Sequence, residues 1–259
     1  MTDPAVSRVS RPVALVTGGA RRLGREIALT LARAGWSIAL HYRQSGPDAA
    51  RTQADIEALG ASCLLVQADL AVEADVVALV DRAAALGPVR CVVNNASLFD
   101  FDDAHSFSYA SLDRHLHSNL AAPIVLARCL HAHIPDGEQG VVVNLLDQKL
   151  ENMNPDFLSY TLSKAGLSAA TVMLAQQLAP RLRIVGVSPG LTLISHLQTD
   201  AQFEKTHSIS PLKRSSQPED IASGVLFAVN NKAITGTTIL IDGGQHLIGM
   251  ARDFSVMDL

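Results

Sequence analysis

From residue 12 to about residue 242, short apolar runs alternate with amphipathic stretches long enough to be crossover helices. That alternation predicts repeated βα units feeding a parallel sheet, because parallel neighbours need a long connection between them. The expected strands are Val13 to Val16, Ser37 to His41, Cys63 to Val66, Cys91 to Asn94, Val141 to Leu145, Ile184 to Val187 and Thr238 to Ile241. Most are continuous Val/Ile/Leu runs, as expected when helices cover both faces. Helical spacing recurs at Leu23, Ile27, Ala28 and Leu31, at Val76, Val77 and Val80, and at Ile221, Val225 and Leu226. The fold class is therefore α/β: a doubly wound, seven-stranded parallel Rossmann sheet.

With 259 residues, nearly half of them hydrophobic, the chain can bury one large core, and a single domain spanning 1–259 is the default. Residues 1–11 and 250–259 read as terminal extensions. The polar stretch Ser195 to Gln217 lacks firm periodicity and follows a strand end, where substrate lids of such sheets occur, so it is expected to be a mobile substrate loop. No internal repeat or low-complexity segment interrupts the chain.

A formal charge of −4 and a pI near 6 leave no polybasic surface for nucleic acid or anionic lipid, which points to a small-molecule partner. Cys63, Cys91 and Cys129 are odd in number, sit in apolar runs without metal-type spacing and suit a reducing compartment. The N-terminal MTDPAVSRVSRP has no apolar core of a leader, and no stretch approaches the roughly 20 apolar residues of a membrane span. A cytoplasmic location is expected. His115 with His117, and His131 with His133, lie two apart and so point apart on a helix; no metal site is expected.

The run Thr17-Gly18-Gly19-Ala20-Arg21-Arg22-Leu23-Gly24 directly follows the first strand and opens the first helix. Glycine there lets the backbone approach a pyrophosphate, whose charge meets the free N–H groups of the helix start. Taken alone, the same run also serves as a tight βα turn needing positive φ. The second strand ends in His41-Tyr42-Arg43-Gln44-Ser45, without the acid that an NAD site places there for the ribose 2′-hydroxyl. A guanidinium and a hydroxyl, Arg43 and Ser45, suit a 2′-phosphate, which favours NADPH; a solvated loop beginning at Arg43 is the plain alternative. Asp69-Leu70 and Asn94-Asn95-Ala96 fall where adenine and ribose contacts are expected.

Thirteen residues separate Asp147 from Tyr160, and Lys164 lies one helical turn beyond. Tyrosine and lysine at i and i+4 share a helix face, so the ammonium is expected to depress the phenol pKa and make it useful near neutrality. Individually, Asp147 also reads as a turn cap and the Tyr–Lys pair as an ordinary amphipathic pair.

In this order, the Gly-rich turn, Asn95-Ala96, Asn119 in SNLAAP, Tyr160 with Lys164, Pro189-Gly190 and Asp242-Gly243-Gly244 resemble the short-chain dehydrogenase/reductase family over nearly the whole chain. The resemblance implies a one-domain NAD(P)-dependent oxidoreductase, usually a tetramer, with Asn119 anchoring a water chain to Lys164. Two departures resemble its pteridine reductase branch: Arg22 where most members carry the middle glycine, and Asp147 where most carry the catalytic serine. Asn94-Asn95-Ala96-Ser97-Leu98-Phe99 is similar to the segment whose serine and aromatic ring hold a pterin in that branch.

What the branch implies is hydride transfer from NADPH to a C=N bond of a dihydropterin or dihydrofolate, with Tyr160 as proton donor and Lys164 on the nicotinamide ribose. Asp147, Tyr160, Lys164 and Asn119 would be catalytic. Gly18, Arg22, Leu23, Gly24, Tyr42, Arg43, Ser45, Asp69, Leu70, Asn95, Ala96, Ser97, Tyr160, Lys164, Pro189, Gly190 and Thr192 would hold the cofactor. Arg22, Ser97, Phe99, Asp147, Phe157, Tyr160 and Leu191 would hold the substrate. A carboxylate at 147 suits a substrate that offers N–H donors, whereas it would repel the alkoxide developing from a ketone. The competing readings are a carbonyl reductase and a non-catalytic NADPH-binding sensor.

Overall fold

The computed structural model describes residues 11–194 and 199–256. Seven strands form one parallel sheet: β1 (Val13–Val16), β2 (Ser37–Tyr42), β3 (Cys63–Gln67), β4 (Val89–Asn94), β5 (Gly140–Leu145), β6 (Leu182–Pro189) and β7 (Thr237–Ile241). Their order across the sheet is β3-β2-β1-β4-β5-β6-β7, every pair parallel. The winding reverses between β1 and β4, where Val16 is flanked by Leu40 and Val93. The connections after β1 and β4 leave on opposite sides there and open a crevice beyond the strand ends.

Successive β1 side chains alternate between the faces, as the two-residue strand period requires. Ala14 and Val16 pack with α1 (Arg22–Arg33), α2 (Gly46–Ala58) and α8 (Pro218–Asn230) on one side. Val13 and Leu15 pack with α3 (Glu73–Ala83), α5 (Ala122–His133) and α6 (Leu158–Leu178) on the other. All four are fully buried, each Val or Leu contributing about 1.5–3 kcal/mol of apolar transfer. This double burial explains the unbroken apolar strands. Cys91 belongs to the same core, and burial pushes its thiol up to about 12. Among the described residues, no helix is long and apolar enough to cross a membrane.

Three local structures go beyond the sequence reading. The stretch expected as a loop over 195–217 contains α7 (Asp200–His207), with Ser195 to Gln198 outside the described residues. Thr199 starts it: its hydroxyl accepts the Gln202 N–H while the Gln202 side chain accepts the Thr199 N–H. This reciprocal cap offsets the poor apolar pattern that hides the helix. The C-terminal extension folds back on the body and buries Phe254. Finally, α4 (Tyr109–Leu116) joins α5 through a π-helical turn, His117–Ala121, with Asn119 at its centre. Of the N-terminal extension, residues 1–10 lie outside the described residues.

Candidate active site

One cavity of about 760 Å³ opens at the sheet's reversal and extends towards β5 and α6. Its cofactor half is built on the Gly-rich turn. Thr17 ties this turn to β4: its hydroxyl donates to Val93 O and accepts the N–H groups of Asn95 and Ala96, both at 3.0 Å. The Asn95 amide returns two bonds, to the carbonyls of Thr17 and Gly18. Gly18 sits at φ 61°, and a Cβ there would meet Ala96 Cα at 3.0 Å. At Gly24 a Cβ would lie 2.2 Å from Gly18 O, so α1 can approach the turn only because residue 24 is glycine. No side chain caps the first turn of α1, whose N–H groups therefore remain available to an anion.

Arg21, Arg22 and Arg43 line this half, together with Leu23, Tyr42, Ser45, Asp69 and Leu70. Bare helix donors, three guanidinium groups and no acid at the end of β2 fit a phosphorylated dinucleotide. Arg22 occupies φ 54°, a left-handed conformation that costs a side-chain-bearing residue about 1–2 kcal/mol, and its Nη2 donates to Ile194 O at 2.7 Å. Arg21 was not foreseen; its place beside Arg22 at an uncapped helix start is the signal for it. Nor was His41. Buried at 2% exposure, its Nδ1 accepts the Gly18 N–H at 3.1 Å, and Nε2 lies 3.2 Å from Ala68 O. Burial lowers its pKa to about 4, so the ring is neutral and carries its proton on Nε2, the nitrogen facing a carbonyl.

The far half holds the ionisable cluster. Tyr160 and Lys164 are 6% and 3% exposed, and they rise from α6 into the cavity as their shared helix face requires. The Tyr160 hydroxyl donates to Asp147 Oδ2 at 2.7 Å, and Asp147 Oδ1 accepts the Lys149 N–H at 2.8 Å. Lys164 Nζ donates to Leu145 O at 2.7 Å and lies 5.7 Å from the Tyr160 ring centre. Burial lowers Lys164 to about 8.

The expected depression of the Tyr160 pKa is reversed. Burial first, then the Asp147 charge and hydrogen bond, raise the phenol well above its ordinary range, and burial also raises Asp147. The result is a phenol that keeps its proton and aims it at a carboxylate.

Two expected site residues lie behind the cavity wall. Asn119 pins the loop after β4 to α6: Oδ1 accepts the Leu98 N–H, and Nδ2 donates to Leu98 O and Ser163 Oγ. All its amide groups serve that clamp rather than a direct contact with Lys164. Phe157 is fully buried and stacks on Phe99 with ring centres 4.2 Å apart at 14°, so Phe99 lines the cavity and Phe157 supports it. Phe157 also stands in the left-handed region, φ 55°, where α6 begins. Asp102 holds that start from a distance. Its carboxylate accepts the Ser159 N–H at 2.9 Å and the Ser159 hydroxyl, and its carbonyl accepts the Leu158 N–H.

Ala96, Ser97, Pro189, Gly190, Leu191 and Thr192 complete the wall between the two halves. The Leu191 N–H is held by Gln245 Oε1, and the Thr192 hydroxyl donates to Gly190 O and meets Ser216 Oγ at 2.7 Å. Among the described residues, none from 199 to 217 lines the cavity; Asp253, Phe254 and Ser255 of the C-terminal segment do. Also among the described residues, no group of three or more His, Cys, Asp or Glu could hold a metal ion.

A Gly-rich βα turn at the sheet's reversal, with a buried Tyr–Lys pair at the far end of the same cavity, defines a nicotinamide-dependent oxidoreductase of the Rossmann class. A family model described as Enoyl-(Acyl carrier protein) reductase matches residues 18–246. Pteridine reductase 1 of Leishmania tarentolae is 31% identical over 91% of this chain and 96% of its own. The 3-oxoacyl-[acyl-carrier-protein] reductase FabG of Staphylococcus epidermidis is 30% identical over 90% and 98%. The crystal structure of FolM alternative dihydrofolate reductase 1 from Brucella canis, complexed with NADP, superposes with a TM-score of 0.89 at 41% identity, covering 95% of this chain and 98% of that one.

The chain belongs to the short-chain dehydrogenase/reductase family and is an NAD(P)-dependent oxidoreductase. Within the family its likeness is to the pteridine reductase-like branch.

Proposed function

We propose that the protein reduces a C=N bond of a dihydropterin or dihydrofolate. The observation that carries this reading is the Tyr160–Asp147 hydrogen bond of 2.7 Å at the end of the cavity beside the Phe99 ring. A flat heterocycle with a donor edge suits an aromatic plate and a carboxylate acceptor. A developing alkoxide does not suit an ionised carboxylate at the same place. The likeness to proteins named pteridine reductase and alternative dihydrofolate reductase points the same way.

The cofactor supplies hydride. The chain's part is to place the ring against Phe99, hold Asp147 for the substrate's N–H groups, and deliver a proton from Tyr160 to the nitrogen beside the carbon reduced. Because burial keeps the phenol protonated, Tyr160 is charged with its proton before substrate arrives. When substrate N–H groups occupy Asp147, the phenol is released to turn towards the substrate. Lys164 lies one turn away to hold the nicotinamide ribose, and Arg43 with Ser45 to hold the 2′-phosphate.

The assembly we propose is a homotetramer in the cytoplasm; exposed Leu162, Val172 and Met173 on α6 support burial against another copy.

The test is NADPH oxidation against dihydrobiopterin, dihydromonapterin, dihydrofolate and simple ketones, with the parent, Asp147→Ser and Tyr160→Phe. Pterin turnover in the parent that both variants lose is the expected result. Ketone turnover that survives or improves in Asp147→Ser, with no pterin turnover in the parent, overturns the reading in favour of the carbonyl chemistry of the FabG relatives.

A further inference from the structure

Lys149, in the turn between β5 and α6, is 3% exposed. Its Nζ donates to Asp156 O at 2.7 Å and to Asp253 Oδ2 at 2.8 Å, and it stands 5.3 Å above the Phe157 ring. Asp156, 2% exposed, receives both Arg252 Nε and Nη2 at 2.8 Å, and also the Asp253 N–H at 2.7 Å. Asp253 Oδ1 in turn accepts the N–H and hydroxyl of Ser255. A buried ammonium is costly unless its donors are met, and here two oxygens and an aromatic face meet them. The two ion pairs grip adjacent residues, Asp253 and Arg252, at the start of one short peptide, 104 and 96 residues away along the chain.

The gripped peptide is part of the cavity: Asp253, Phe254 and Ser255 line it together with Asp147 and Tyr160. Lys149 serves both, because its backbone N–H fixes Asp147 Oδ1 while its ammonium fixes Asp253. We propose that Arg252 to Ser255 is a specificity-determining wall of the substrate end, latched in place by Lys149 and Asp156. The wall limits the length of the substituent that a bound ring can carry towards the tail. Naming this end as the substrate end rests on the functional reading above; the latch does not.

The test combines Arg252→Ala and removal of residues 250–259 with two readouts, hydrogen exchange and steady-state kinetics. In the parent, the Asp253 and Ser255 amides are expected to be protected, and Arg252→Ala to release them. Both variants are expected to raise KM for the dihydropterin about tenfold, with kcat within about threefold. NADPH affinity is expected to stay within about twofold, and the preference between dihydrobiopterin and the longer dihydrofolate to shift towards the longer.

Rapid exchange of those amides in the parent overturns the latch whatever the substrate. Released amides with KM and preference unchanged overturn the wall. A parent inactive on every pterin overturns the functional reading alone, and the ketone it reduces then carries the same KM comparison. Should the truncated chain fail to fold, Arg252→Ala decides, since Arg252 sits at the half-exposed rim of the network.

Discussion

Tyr160 Oη donates to Asp147 Oδ2 across 2.7 Å, and the burial that joins them drives both pKa values up. The pair is therefore one unit, in which the carboxylate holds the phenol in its protonated form. Asp147→Asn removes the charge while keeping an acceptor. The Tyr160 pKa is expected to fall, and the alkaline limb of kcat/KM to move to lower pH. Ultraviolet titration of phenolate, with Asp147→Asn/Tyr160→Phe as the blank, reads the shift; an unchanged phenol pKa would show that burial alone sets it.

His41 gives a stability prediction of definite sign. Its folded pKa is about 4 against 6.5 unfolded, so between those values the native state binds fewer protons and stability rises with pH. The contribution is complete above 6.5 and is lost as pH falls towards 4, a few kcal/mol at about 1.4 kcal/mol per pKa unit. His41→Gln retains an acceptor for Gly18 and a donor for Ala68 without titrating. Its Tm is expected to decline less than the parent's from pH 6.5 to 4.5; parallel declines would refute the assignment.

The Gly-rich turn separates backbone demand from charge. Gly24→Ala forces a Cβ against Gly18 O and is expected to lower Tm and weaken NADPH binding by about tenfold or more, a loss of about 1.4 kcal/mol. Arg22→Gly relieves a left-handed φ and is expected to add up to about 1 kcal/mol of stability. It also removes a guanidinium from the cavity, so NADPH affinity is expected to fall. Opposite signs in thermal unfolding and cofactor titration are the signature; a less stable Arg22→Gly would mean that the Ile194 bond outweighs the strain.

Asp102→Ala leaves the start of α6 without its carboxylate, beside a left-handed Phe157. A lost helix cap costs about 0.5–2 kcal/mol, and the two Ser159 donors raise the cost towards the upper end. The urea midpoint should fall accordingly. Because Tyr160 follows Ser159 directly, kcat should fall as well, and by more than NADPH affinity, most of whose proposed contacts lie outside α6.

Much of the architecture was legible from local pattern. Apolar runs such as Val13 to Val16 and Val141 to Leu145 fell on strands, and the Gly-rich run fell on the turn into α1. The Tyr160–Lys164 spacing put both groups on one helix face and in one cavity. The capping pair Thr199 and Gln202 was also present locally, but the polar composition of α7 concealed it.

Periodicity reports which side of an element is buried, and spacing along a helix reports which residues are neighbours; both are properties of a few consecutive residues, so they survive without knowledge of the fold. The direction of the Tyr160 pKa depends on how much protein surrounds the phenol and on a carboxylate from another element. Phe157 became a support rather than a lining residue because Phe99 lies over it, and the tail came to line the cavity with Lys149 bonded to Asp253, 104 residues away. Those relationships are set by chain closure across the sheet. Burial and long-range charge pairing exist only once the distant segments have packed together.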